Sequence, residues 1–221
     1  MNTPNVRPVF NLIILDESGS MQSIKTSIVG SFNETLQVII NADQKHEDQN
    51  HFVTFVTFDS EGIREHNYLQ PASSLQKLTM ETYLPGAATP LYDAIGESVL
   101  KLKHEIERQK PADYDVLVTI LTDGQENASR KFTGVGIKNI IDELKQQKWV
   151  FSYIGANHNV EATAAMMGIE HTIRFESEEE SVQSIMQQDM SSRATFFEKR
   201  VFNYNPKKTS EPIGLSFEEE F

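Results

Sequence analysis

Short apolar runs that alternate with helix-period stretches limit the fold of this chain more than any other feature of it. Val9-Phe10-Asn11-Leu12-Ile13-Ile14-Leu15 is too short for a core helix and reads as a strand buried on both faces. Apolar residues then recur every three to four positions at Ile24, Ile28, Phe32, Leu36 and Ile39/Ile40, which predicts a helix of about five turns. Residues 52–58 alternate apolar and β-branched side chains as a second strand. Asp59-Ser60-Glu61-Gly62 supplies turn chemistry before 63–69, so an antiparallel hairpin is expected there. Leu91, Ile95, Val99, Leu102 and Ile106 mark a second long helix, 116–121 a strand, Ile137, Ile140, Ile141 and Leu144 a helix, and 149–154 a strand. A short helix over 161–167 stops at Gly168, and 172–175 is a last strand. A final helix is expected at about 181–200, with Val182, Ile185, Met186, Met190, Phe197 and Val201 on one side.

This alternation predicts a mostly parallel α/β sheet covered by helices on both faces, with one antiparallel strand from the hairpin. No internal repeat and no interior linker divides the chain. A single domain is expected over 6–202, the final helix appended to it, followed by an acidic C-terminal tail at 203–221 without sustained periodicity. The hydrophobic content of 38%, with thirteen Phe, is enough for a packed interior.

Charge and cysteine usage narrow the function. With 32 acidic against 20 basic residues the formal net charge is −12, so neither nucleic acid nor an anionic membrane is expected as a partner, because both need a positive surface. The chain has no cysteine, which excludes thiolate metal sites and cysteine nucleophiles and suits a reducing compartment. The apolar start runs into Asp16 instead of a small-residue cleavage site, and no stretch approaches the roughly 20 apolar residues of a membrane span. A soluble, cytoplasmic protein is the expectation.

Three polar segments stand out against this frame. Asp16-Glu17-Ser18-Gly19-Ser20 follows the first strand, Thr89 in Gly86-Ala87-Ala88-Thr89-Pro90 precedes the second long helix, and Asp123 in Leu121-Thr122-Asp123-Gly124 follows the 116–121 strand. Each has a structural reading. Ser18 or Ser20 would cap the first helix, Thr89-Pro90 is a good pair for a helix start, and Asp123-Gly124 is ordinary turn chemistry. Their shared place argues for more. In an open parallel α/β sheet, ligands bind beyond the carboxyl ends of the strands, and a doubly wound chain sets the 116–121 strand beside the first. Three hydroxyls and two carboxylates then converge on one rim as an oxygen pocket for a small, hard cation. The two aspartates balance its charge, and magnesium's six-oxygen shell leaves a position open for an incoming carboxylate. Mn²⁺ fits the same cage and Ca²⁺ is a further alternative, while zinc's usual His and Cys are missing.

Asp16-x-Ser18-x-Ser20, Thr89 and Asp123 resemble the metal-ion-dependent adhesion site of the von Willebrand factor type A (vWA) family, with its elements in the family's order over about 6–176. The resemblance implies that Asp16, Ser18, Ser20, Thr89 and Asp123 coordinate the metal, the aspartates often through water. It also implies a six-stranded, Rossmann-like doubly wound sheet and a protein partner whose Asp or Glu fills the open position. Without cysteines or long insertions, the chain is most similar to compact intracellular bacterial members.

Around this set, Glu17 and Glu126 are candidates to flank the metal, with solvated surface roles as the plainer expectation. Asp93 is expected to stabilise the start of its helix, with a supporting role beside the metal as the alternative, and Asp59 to serve the hairpin turn. The six His are scattered, and only His158 follows a strand at the same rim. The tail Glu218-Glu219-Glu220-Phe221 carries the chemistry of a self-ligand for the metal site. The competing function is a metal-assisted hydrolase or phosphoryl-transfer enzyme. No Gly-x-Ser-x-Gly elbow or phosphate-binding Gly-x-x-x-x-Gly-Lys loop supports it, so a non-catalytic interaction module is expected.

Overall fold

The structure is a computed structural model and describes residues 6–156, 159–175, 191, 192 and 195. Strand β1 (Arg7–Asp16) leads through a 3₁₀ turn (Gly19–Ile24) into helix α1 (Lys25–Lys45). The hairpin β2 (Gln49–Asp59) and β3 (Gly62–Pro71) follows, then α2 (Leu91–Gln109) and β4 (Asp115–Thr122). Helix α3 (Gly134–Gln146), β5 (Trp149–Ala156), α4 (Val160–Met166) and β6 (His171–Phe175) complete the described elements.

The strands form one six-stranded sheet in the order β3-β2-β1-β4-β5-β6. All neighbours are parallel except β2 and β3. This is the Rossmann-like, doubly wound arrangement with one antiparallel edge strand that the sequence predicts. The hairpin closes as expected: the Glu61 amide donates to Asp59 Oδ1 at 2.8 Å, and Gly62 takes a φ of 148°.

Period-two alternation in the central strands builds two cores, one on each face. Val9, Ile13 and Leu15 of β1 pack with Leu117 and Leu121 of β4 beneath Ile28, Phe32, Leu36 and Ile39 of α1. The intervening Phe10, Leu12 and Ile14, with Val116, Val118 and Ile120, face α2, α3 and α4. At roughly 1.5–3 kcal/mol for each fully buried aliphatic side chain, these cores hold the sheet and its loops in place. Residues 75–90 contain no helix or strand, yet Tyr83 is fully buried among the α1-side residues. Asn33 clamps this segment through both Leu78 backbone groups, at 2.8 and 2.9 Å. Gly168 ends α4 region at a φ of 75°, as expected of a helix stop. The expected final helix, the acidic tail and His158 lie outside the described residues, apart from 191, 192 and 195.

Candidate metal centre

The three polar segments meet where the winding of the chain reverses. β1 and β4 lie side by side, and Leu15 pairs with Leu121, so the last residue of β1, Asp16, stands level with Thr122 and next to Asp123. From this central pair the sheet extends to β2 on one side and β5 on the other, leaving the crevice that such sheets form at their carboxyl ends. Thr89 arrives on the loop before α2. Its amide donates to Asn127 Oδ1 at 2.8 Å and its carbonyl accepts from the Asn127 amide at 3.1 Å, which fixes it to the loop after β4.

Side-chain distances bring the five candidates together. Ser20 Oγ donates to Asp123 Oδ1 at 2.5 Å, and Ser18 Oγ lies 3.3 Å from Ser20 Oγ. The Ser18 amide donates to Asp16 Oδ1 at 2.7 Å. A Cβ at Gly124 would stand 3.1 Å from Thr89 Oγ1, 3.5 Å from Ser20 Oγ and 3.7 Å from Asp16 Oδ2. Oxygens of the 16–20 segment and of Thr89 therefore stand around the space that this glycine leaves open, and Asp123 of the third segment joins them through Ser20. Asp16, Ser18, Thr89 and Asp123 are buried and Ser20 is exposed, so the group opens to solvent on the Ser20 side.

None of the hydroxyls serves as a helix cap. Helix α1 begins after Ile24, and the 3₁₀ turn that follows Ser18 receives no side-chain hydrogen bond from it. The residue before α2 is Pro90, not Thr89, and it too makes no side-chain cap. The amides at that helix start are bound from across the fold: Tyr92 N donates to Glu126 Oε2 at 2.9 Å and Asp93 N to Ser129 Oγ at 3.0 Å.

Burial pushes the Asp16 carboxyl up to about 6, opposed by hydrogen bonds from Thr122 Oγ1 (2.5 Å) and Ser18 and reinforced by the neighbouring Asp123 carboxylate. Two buried acids side by side carry a charge cost that a dication would offset. Among the described residues no three His, Cys, Asp or Glu side chains gather to hold a metal ion. The fit therefore rests on two carboxylates plus three hydroxyls, a hard oxygen set suited to Mg²⁺, Mn²⁺ or Ca²⁺ and poor for zinc.

The flanking acids depart from expectation. Glu17 is buried, not solvated: Oε1 accepts the Leu84 amide at 2.5 Å, and Oε2 pairs with Arg64 Nε at 3.2 Å. It straps the 84–88 segment to the first polar segment. Glu126 also turns inward, accepting from Tyr92, Ala128 and Ser129 amides. Asp93 keeps its place in the first turn of α2, but its oxygens accept the amides of Arg130, Lys131 and Phe132. Burial raises its carboxyl, yet those amides outweigh it and hold the group below the ordinary carboxylate range. Asp59 is the turn residue expected, and it is also buried and held by Arg64.

Four supporting residues escaped the sequence reading: Thr122, Asn127, Tyr83 and Arg64. Thr122 steadies Asp16, Asn127 holds Thr89, Tyr83 Oη donates to the Asp16 carbonyl at 2.6 Å, and Arg64 bridges Glu17 and Asp59. Thr122 stands immediately before Asp123, which was the one available signal; the others act across distant segments.

Fold and site together describe an α/β domain with an oxygen-lined pocket at its topological switch. Residues 12–188 match the sequence profile of the von Willebrand factor type A domain, and the chain belongs to that family. Its members are generally metal-dependent protein-interaction modules and not enzymes. No curated protein matches the chain in sequence. Among solved structures it is similar to proximal thread matrix protein 1 of the mussel byssus, at 14% identity and a TM-score of 0.56 over 86% of this chain. The chain spans about half, 47%, of that protein. It is also similar to the manganese-loaded TRAP protein of Plasmodium vivax, at 19% identity and a TM-score of 0.53 over 82% of this chain and 73% of the other. The pilus adhesin SpaC of Lactobacillus rhamnosus GG matches at 12% identity and a TM-score of 0.56, over 87% of this chain and 31% of the adhesin. At these identities the likeness is one of fold. No helix among the described residues is long and apolar enough to cross a membrane.

Proposed function

We propose that this chain is a divalent-metal-dependent protein-interaction module whose pocket works as a metal-ion-dependent adhesion site. Ser18, Ser20 and Thr89 hold Mg²⁺, with Mn²⁺ or Ca²⁺ as substitutes, while Asp16 and Asp123 balance its charge and orient its waters. An Asp or Glu of a protein partner takes the remaining position. The observation that carries this reading is the gathering of oxygens from three chain segments: Thr89 Oγ1, Ser20 Oγ and Asp16 Oδ2 around the space at Gly124, and Asp123 Oδ1 on Ser20 Oγ. The manganese carried by the Plasmodium vivax relative is in keeping with it.

The test uses Mn²⁺ as probe, followed by water-proton relaxation. Saturable Mn²⁺ binding is expected in the wild type, lost in Asp123→Ala and Thr89→Ala, with relaxation falling when an aspartate-containing peptide displaces water from the ion. A wild type without saturable binding overturns the proposal. Repeating the titration on a chain ending at residue 205 separates the terminal acids, as a self-ligand, from an external one.

A further inference from the structure

A cleft of about 650 Å³ opens beside the loop that carries Thr89. Ser60 of the β2–β3 turn, Ala88 and Pro90 on either side of Thr89, and the loop from Asn127 to Lys131 line it. The volume lies within the range of ligand-binding clefts, about 300–1,000 Å³. Ala88 and Pro90 are the chain neighbours of Thr89, so the cleft adjoins the candidate metal site and offers room for residues next to a metal-bound acid on a partner.

The charges lining this cleft are committed, with one exception. Asp59 is held by Arg64 and the Glu61 amide. The Asp93 oxygens take three backbone amides, and Glu97 pairs with Lys131 at 2.5 Å. Arg130 differs. Its amide is anchored on Asp93 Oδ2 at 2.8 Å, its side chain is exposed, and it makes no ion pair among the described residues. A pinned backbone thus presents an exposed guanidinium, unpaired among the described residues, in the lining of the cleft, on a molecule whose net charge is −12.

We propose that Arg130 reads a second acidic group on the partner, so that the preferred ligand is a polypeptide segment with two carboxylates: one completing the metal shell, the other on Arg130. This rests on the metal-site reading given above. Guanidinium binds a carboxylate in a planar, two-pronged geometry, which adds selectivity for a fixed spacing between the two acids. Arg130 also offsets locally the repulsion that the acidic protein exerts on an acidic segment.

The experiment compares peptides on the Mn²⁺-loaded full chain: one with a single aspartate among glycines, and a set with a second aspartate at increasing spacing. At low salt the best two-aspartate peptide is expected to bind about fivefold more tightly than the single-aspartate peptide, as for an exposed ion pair, and added salt should shrink that advantage. Arg130→Gln and Arg130→Glu should abolish it while leaving Mn²⁺ affinity and single-aspartate binding unchanged. An advantage that survives both substitutions, or that no spacing produces in the wild type, overturns the inference alone. A wild type that binds no Mn²⁺ overturns the metal reading and this inference with it.

Discussion

Asp16 is the residue on which the pocket turns, and it is held by a side chain that coordinates nothing. Thr122 donates to Asp16 Oδ2 across a sequence separation of 106 residues. Thr122→Val keeps the shape and removes the donor, and loss of such an orienting partner is expected to weaken Mn²⁺ affinity about 10–100-fold. Unchanged affinity by titration would show that Thr122 has no part in the site. Away from these residues, His51 is 1% exposed, and burial, with the charges of His46 and Arg7, holds its imidazole down at about 3 against an ordinary 6.5. Between those values the unfolded chain binds a proton that the folded chain does not. Stability is therefore complete above about pH 6.5 and falls as pH drops toward 3, by up to about 1.4 kcal/mol per pH unit. Urea midpoints should decline less steeply with acidification in His51→Leu than in the wild type; parallel declines would remove the assignment. At this level, Asp16, Ser18, Ser20 and Asp123 stand out in the sequence by their place after strands, and Thr89 by its place before a helix, as candidates for one site. Thr122 and Asn127 do not, since what gives them meaning is a partner reached only through folding.

The secondary-structure elements were largely readable, because each buries one regular face and periodicity records that face. The hairpin is the instructive case. Its turn residues announced it, but not that Arg64 on the edge strand β3 would reach back to Glu17 and Asp59, both buried. Arg64→Met strips two buried carboxylates of their cation. Because the guanidinium side chain is 39% exposed, water moderates the loss, and about 2 kcal/mol of destabilisation is expected in urea unfolding. No change in midpoint would mean that the two acids are stabilised by their amide partners alone. The path of the 75–90 segment was not readable, although Thr89 within it stood out. The segment has no period to detect, and Ala87 takes a left-handed φ of 60° where no glycine signals it. Its shape comes from Tyr83 packing inward, from Glu17 and from the Gly19 amide donating to the Ala87 carbonyl at 3.1 Å.

For the domain as a unit, the metal should act as a folding ligand, since its oxygens come together only when β1, the 89 loop and β4 are assembled. Mg²⁺ at about one hundred times its dissociation constant is expected to stabilise the fold by about 2.7 kcal/mol. For a domain of this size that raises Tm by roughly 5–10 °C over chelator. Asp123→Ala should melt at one temperature in both conditions, and a wild type that does the same would exclude binding linked to folding.

Runs of apolar residues and turn chemistry were enough to read the sheet class and the hairpin, and chain direction was enough to nominate three polar segments at one rim, because these depend on local period and on strand order. Their convergence is a different matter. It follows from β1 and β4 becoming neighbours, from the missing side chain at Gly124, from Glu17 turning inward, and from the half-buried Asp93 and Glu126 binding backbone amides. A sequence cannot distinguish an acid that faces water from one that ties two loops together. Burial decides it, because a carboxylate withdrawn from water must find donors, and only the folded chain supplies them.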